Sequence, residues 1–362
     1  MNNRSIVFVI NTAQTMSGAA KVMLSVANAS LSMFSNVTVV GILDTHYEEM
    51  GSEKIKFVPL GASSQHKGWW RLSCLCKLRT LFRNQKPDII CSFVADACTM
   101  ARIASLGLGI EVISCERGDP YTTGKLWQNF MRFTYSTSDY AVFQLPTARD
   151  FFSNRVRNHS VVIPNPFIPK ADAIKRENVD YKTIVSAGRL FDLQKDFTSL
   201  IKAFAIVNKS YPDTNLIIYG EGDSRKEYEC LVESLGLSDR VCLPGFVKNV
   251  SEEIKDKGIF VLSSTFEGIP NTLLEAMSMG LPCIATNCSP GGAKFLTDNG
   301  SLGVLLDIGD IDGIANSIIR LISHPDDAYI LGQKGKESIK RFDTTIILNR
   351  WLEFFEEVLK SK

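Results

Sequence analysis

No stretch of the 362-residue chain approaches the roughly 20 consecutive apolar residues that a membrane-spanning helix needs, which excludes such a helix. The first apolar run, "IVFVI" at 6–10, is too short for the core of a signal peptide and reads as a strand, so no exported form is expected. Histidine is scarce. His46, His66, His159 and His324 show no H-E-x-x-H or clustered spacing, and no zinc site is expected. The nine cysteines are odd in number and scattered, which argues against a disulfide framework and for free thiols in a reducing cytosol. Cys74 and Cys76 form a lone C-x-C without a second pair and read as core residues. No complete G-x-G-x-x-G is present, which weighs against a nicotinamide-dependent oxidoreductase.

What is present divides in two. The net charge is +1, yet residues 1–167 hold 17 Lys and Arg against 11 Asp and Glu, a balance of +6; the remainder holds 23 against 28, a balance of −5. A basic half suggests an anionic partner on that half only, although sampling variation gives such a split too. The length calls for two domains. Short Val- and Ile-rich runs at 6–10, 37–42, 88–92, 111–115, 140–144 and 161–163 alternate with amphipathic segments. The alternation repeats at 183–187, 215–219, 259–262, 282–286 and 303–306. Such runs indicate parallel sheets covered on both faces. The proline-rich "IPNPFIPK" at 163–170 is the connector. The fold class is therefore α/β, two doubly wound Rossmann-like domains, 1–165 and 166–342, facing each other across a cleft. Ligands are expected at the carboxyl ends of the strands. In 343–362, Ile347, Trp351, Phe354, Phe355 and Leu359 share one helical face, predicting a helix that docks back near the first domain.

Three stretches carry candidate chemistry. After the first strand, "NTAQTMSGAAKVML" offers Ser17 as a helix cap and Gly18 for close approach of backbone to an anion; taken alone, a routine strand-to-helix turn explains it better, since no full G-x-G-x-x-G is present. In "SAGRLFDLQKDFTSLIKAF", Gly188 ends a strand, Arg189 follows it, and Lys195 stands near the start of an amphipathic helix. A planar guanidinium and an ammonium there suit a diphosphate without a metal. In "FEGIPNTLLEAMSMGLP", Glu267 and Glu275 would stand about 80° apart on one continuous helix. Pro270 suits the first turn of a helix, so Glu267 belongs to the loop before it and Glu275 lies roughly 7 Å further along the axis. Between them Gly268, Ile269, Pro270, Asn271 and Thr272 form a helix start whose dipole favours an anion. Carboxylate, anion cradle, carboxylate is the order of parts that a nucleotide sugar requires: sugar hydroxyls, diphosphate, ribose hydroxyls.

These stretches, with "SGAAKV", "IPNP", "YGEGD", "LPGFVKNV" and "SPGGAKFL" in this order, resemble the retaining GT-B glycosyltransferases with the E-x7-E motif (family four, glycosyltransferases group 1) over essentially the whole chain. The resemblance implies that Arg189 and Lys195 hold the donor diphosphate, Glu275 the ribose, and Glu267 the sugar hydroxyls near the reacting carbon. It further implies that Gly245, Phe246 and Val247 contact the base, and that Gly18 closes on the phosphates. It implies no metal and no cofactor besides a nucleotide-sugar co-substrate, UDP-linked. Where many members carry a histidine, this chain has "SCERGDP", similar to transferases that build bacterial lipid-linked oligosaccharides. Glu116 and Arg117 are accordingly assigned to the acceptor side, with a plain Glu–Arg ion pair as the alternative.

The acid-free stretch from His66 to Lys86 contains Lys67, Arg71, Lys77, Arg79, Arg83 and Lys86, with Trp69 and Trp70 at its start. Leu72, Leu75, Leu78 and Phe82 are expected on one helical face, which either packs on the sheet or meets an anionic membrane. The expected function is metal-independent, retaining transfer of a hexose or N-acetylhexosamine to a growing, lipid-diphosphate-linked glycan. The enzyme is expected in the cytoplasm, at the inner face of the cell membrane where 66–86 touches it, with no nucleic-acid partner. A nucleotide-sugar epimerase or hydrolase on the same fold, and a two-domain solute-binding protein without chemistry, are the alternatives.

Overall fold

The structure, a computed structural model, describes residues 4–13, 18–44, 52–61, 69–169, 179 and 181–361. Ser17, His46, the 66–68 start of the basic stretch and Lys170 of the connector lie outside them. The chain divides into two units: Met1–Pro166 with Thr344–Lys362, and Phe167–Asp343.

In the first unit, short β-branched runs need cover on both faces and find it in parallel pairing with helical crossovers. The strands are β1 (Ser5–Ile10), β2 (Asn36–Gly41), β3 (Ile55–Pro59), β4 (Ile89–Phe93), β5 (Glu111–Glu116), β6 (Tyr140–Phe143) and β7 (Ser160–Val162). They form one parallel sheet in the order 3-2-1-4-5-6-7. Alternate residues of β1 serve opposite layers. Phe8 packs with the helix Gly18–Ser30 and with Ile347, Trp351, Phe354, Phe355 and Val358 of the C-terminal helix Thr344–Lys360. Val7 and Val9 face the helices Trp69–Gln85 and Ala95–Ser105. Lys125–Thr137 continues that layer through Met131 and Tyr135. The buried side of Trp69–Gln85 is Cys74, Leu78 and Phe82, with Leu75 half-buried. Leu72, expected among them, is 55% exposed because its angular position falls away from the stripe that Cys74 completes. Cys76, expected in the core, is exposed for the same reason.

The second unit repeats the plan with β8 (Thr183–Ala187), β9 (Asn215–Tyr219), β10 (Val241–Gly245), β11 (Ile259–Leu262), β12 (Cys283–Thr286) and β13 (Val304–Leu306). Their order is 10-9-8-11-12-13, all parallel. The two strands without a counterpart in the apolar pattern, β3 and β10, are both edges. Each is covered on one side only, and β10 carries Pro244 and a register irregularity between Cys242 and Gly245, which an edge tolerates.

Candidate functional site

In the second unit the strand order reverses between β8 and β11, where a doubly wound sheet leaves room for a ligand beyond its carboxyl ends. Strand β8 ends at Ala187, so Gly188 stands one residue past it. The chain then makes a single helical turn, Asp192–Lys195, ended by Asp196 at φ 45°. The Asp196 side chain caps the next helix, Phe197–Ser210, by accepting from the Ser199 N–H at 3.2 Å. Lys195 therefore closes this short turn and does not belong to the longer helix. The turn is clipped to the loop after β11. Ser263 Oγ donates to the Lys195 carbonyl at 2.8 Å, and the Thr265 N–H donates to the Gln194 carbonyl at 2.8 Å.

That clip aims Lys195 Nζ at Glu267 Oε1, and the two form an ion pair with each side chain 12% exposed. Ser264 Oγ donates to the same carboxylate oxygen at 3.2 Å, and the Glu267 N–H donates to the Ser289 carbonyl at 2.8 Å. Burial, with the Glu267 charge nearby, pushes the neighbouring Cys288 thiol up to about 12. Glu267 lies on the loop. Pro270 is not in the first helical turn but caps it: its ψ of 107° is extended, and the helix is Asn271–Ser278. Glu275 sits on that helix, 4% exposed.

Beside this pair, Arg189, Phe246, Val247 and Thr272 line a cavity of about 370 Å³ together with Gly188, Tyr219, Gly220, Glu221 and Val250. Arg189 is exposed and Phe246 is 77% exposed. The link between cavity and ion pair is Gly188, where an added Cβ would meet Lys195 Cε at 2.8 Å. Two approaches require the absence of a side chain. A Cβ on Gly220, whose φ is 145°, would lie 1.8 Å from the Gly188 carbonyl oxygen, and one on Gly292 would lie 1.7 Å from that of Gly268. The loops are then tied by backbone: Gly188 N–H to the Tyr219 carbonyl, and Gly220 N–H to the Gly245 carbonyl, each at 2.9 Å. Glu221 is held two-pronged by Arg225, at 2.9 Å from Nε and 2.7 Å from Nη2. Tyr219, Gly220, Glu221 and Val250 stand in the stretches "YGEGD" and "LPGFVKNV", to which the sequence alone attached no contact for these four. The signal was the paired glycine of "YGEGD", directly after a strand.

The remaining candidates lie in the first unit. Gly18 opens the helix Gly18–Ser30 and is exposed. Glu116, at the end of β5, is 4% exposed and fully bonded. Its Oε1 accepts from the Arg117 and Gly118 N–H groups at 3.0 and 2.9 Å, and its Oε2 accepts from Tyr135 Oη at 3.0 Å. Burial raises its carboxyl above the ordinary value of 4.5 despite those donors. The Arg117 guanidinium turns elsewhere: Nη1 donates to the Ile163 carbonyl at 3.0 Å and to Asn165 Oδ1 at 3.3 Å. Its carbon sits 5.4 and 5.2 Å from the ring centres of Phe93 and Trp351. The two side chains thus bond to other groups and not, among the described contacts, to each other, contrary to the ion-pair alternative. Among the described residues no group of three or more His, Cys, Asp or Glu is placed to hold a metal.

The family model described as "Glycosyl transferases group 1" matches residues 167–338, nearly all of the second unit. An uncharacterized glycosyltransferase of Haemophilus influenzae is 27% identical over 355 residues, spanning 96% of this chain and 99% of that protein. A Campylobacter jejuni protein named GalNAc-alpha-(1->4)-GalNAc-alpha-(1->3)-diNAcBac-PP-undecaprenol alpha-1,4-N-acetyl-D-galactosaminyltransferase is 26% identical over 367 residues, spanning 97% and 98%. Among solved structures, Anabaena HepE in complex with UDP superposes with a TM-score of 0.81 at 17% identity, covering 98% of this chain and 100% of that one. At that identity the likeness is one of fold.

Proposed function

Since this chain has the GT-B fold and belongs to the group 1 glycosyltransferases, we propose that it moves a sugar from UDP to a lipid-diphosphate-linked glycan, with retention and without a metal. The observation that carries the reading is the Lys195–Glu267 pair packed against Gly188, which itself lines a cavity with Arg189 and Phe246. In this reading the uracil base enters the cavity against Phe246 and the Gly245–Val247 backbone. The diphosphate lies along Arg189, Lys195 and the start of the helix Asn271–Ser278, and Glu275 receives the ribose. Glu267 accepts hydroxyls of the transferred sugar and orients it without attacking it.

Chemically, the bond between the sugar's anomeric carbon and the diphosphate oxygen breaks. The acceptor oxygen forms its new bond on the same face, and its proton passes to the departing diphosphate. Negative charge grows on that diphosphate, where two cations and a helix dipole stand ready; fixed charge at such a position is the largest single source of rate acceleration in many enzymes. The lipid-linked acceptor rests on the printed name of the Campylobacter jejuni relative, and UDP on the ligand of HepE. A lipid-linked acceptor would bring the enzyme to the cytoplasmic face of the membrane.

The test is UDP release from a panel of UDP-sugars, with and without undecaprenyl-diphosphate-linked acceptors. Release that requires an acceptor supports transfer; acceptor-free release of UDP or conversion of the sugar identifies a hydrolase or epimerase. Glu275→Ala should lower kcat/KM, and an unchanged value would sink the ribose assignment.

A further inference from the structure

Two successive buried serines, directly after β11, brace the two members of the Lys195–Glu267 pair. Ser263 Oγ donates to the Lys195 carbonyl at 2.8 Å and so fixes the base of the lysine. Ser264 Oγ donates to Glu267 Oε1 at 3.2 Å and so fixes the carboxylate itself. Ser264 is held in turn. Thr286, the buried last residue of β12, donates from Oγ1 to the Ser264 carbonyl at 2.5 Å. The other end of the loop is tied just beyond that strand, by the Glu267 N–H on the Ser289 carbonyl and a parallel bridge between Phe266 and Ser289.

The carboxylate is therefore used unevenly. Oε1 accepts from both Lys195 Nζ and Ser264 Oγ, whereas Oε2 has no hydrogen-bond partner among the described residues and is not sealed from solvent. A carboxylate has room for about four hydrogen bonds, shared between its two oxygens. The fold occupies one oxygen and leaves the other open. Held by Lys195 alone, Glu267 would follow an ammonium at the end of a flexible stem, the one donor that an arriving diphosphate attracts. The Ser264 hydroxyl sits on a short, buried side chain and does not line the cavity of Arg189 and Phe246, so a bound nucleotide leaves it in place.

We propose that Ser264 is a positioning residue. It keeps Glu267 Oε1 occupied when Lys195 turns to the diphosphate, so that Oε2 alone meets a hydroxyl of the transferred sugar. This deepens the donor-site reading and rests on it. Ser264 then matters to turnover and not to nucleotide binding, because it orients the sugar's partner and touches no part of the nucleotide.

The test is a double-mutant cycle of Ser264→Ala and Glu267→Ala in the full chain, read by UDP release, UDP calorimetry and urea unfolding. Ser264→Ala should lower kcat about tenfold or more, as a misplaced group at the reacting centre does, while the Kd for UDP stays within about twofold. In the Glu267→Ala background the same change should cost less than about twofold in kcat, since the group it positions is gone. Urea unfolding should show the coupling with no substrate present. Loss of the hydroxyl should shift the folding equilibrium about tenfold with Glu267 in place and no more than about twofold without it. Additive effects in unfolding, or a Ser264→Ala kcat equal to that of the wild type, would overturn the proposal. So would a Kd for UDP that weakens as far as kcat falls, since Ser264 would then serve nucleotide binding. Coupling in unfolding by a chain that binds no UDP would remove the donor reading and leave Ser264 as a brace of Glu267 only.

Discussion

The carboxyl ends of the two sheets treat charge in opposite ways. In the first unit, Glu116 and Arg117 are buried and taken up by backbone, Tyr135, Asn165 and aromatic rings. In the second, Arg189 is exposed, and Lys195 and Glu267 face each other beside a cavity. Charges that the fold itself consumes brace strand ends, whereas charges left beside empty space are available to a ligand. The donor chemistry accordingly belongs to the second unit, while Glu116 and Arg117 brace a strand end of the first.

The sharpest way to break that contrast is to remove the open charges. Lys195→Ala or Glu267→Ala should lower kcat by roughly two to three orders of magnitude, as loss of a group at the reacting centre does. Steady-state UDP release checks both numbers. The loop packing gives the next effect. Gly220→Ala drives a methyl into the Gly188 carbonyl and should destabilise the protein by about 3 kcal/mol or more in urea unfolding. Gly188→Ala meets only the Lys195 side chain, so it should spare stability and lower activity. Equal stability losses in the two would contradict the packing described. Phe246→Ala removes an exposed ring at the cavity and should raise the Kd for UDP about tenfold in calorimetry, the usual scale of base–aromatic stacking.

The smallest effect concerns the buried carboxylate. Its folded pKa is raised above 4.5, so its contribution to stability is present below that value and lost as pH rises through the folded pKa. Glu116→Gln keeps an acceptor for the Arg117 and Gly118 N–H groups and removes the charge. The variant's melting temperature should gain on the wild type as pH rises from 4.5. A difference that is flat with pH would mean that burial does not penalise the charge.

The apolar strands of both sheets were legible in the sequence because they are buried on both faces and read as unbroken Val and Ile runs. Edge strands β3 and β10 were not, since each is partly exposed and contains a proline, with Lys56 in β3 as well. The loop position of Glu267 followed from Pro270, although the helix begins one residue later than that proline suggested. The roles of Gly220 and Gly292 were hidden, because close approach of two loops is a tertiary fact. So was the inward turn of Arg117: its partners Phe93, Ile163 and Trp351 are far apart in the chain.

The claim most worth testing is that the strand ends of the second unit hold a nucleoside diphosphate. Titration of UDP into the full chain by calorimetry, wild type against Arg189→Ala with Lys195→Ala, tests it directly. One site per chain is predicted, with a Kd at least about a hundredfold weaker in the double variant, since each lost charge-assisted contact is worth roughly 1.5–3 kcal/mol. Equal affinity in the two proteins would contradict the account.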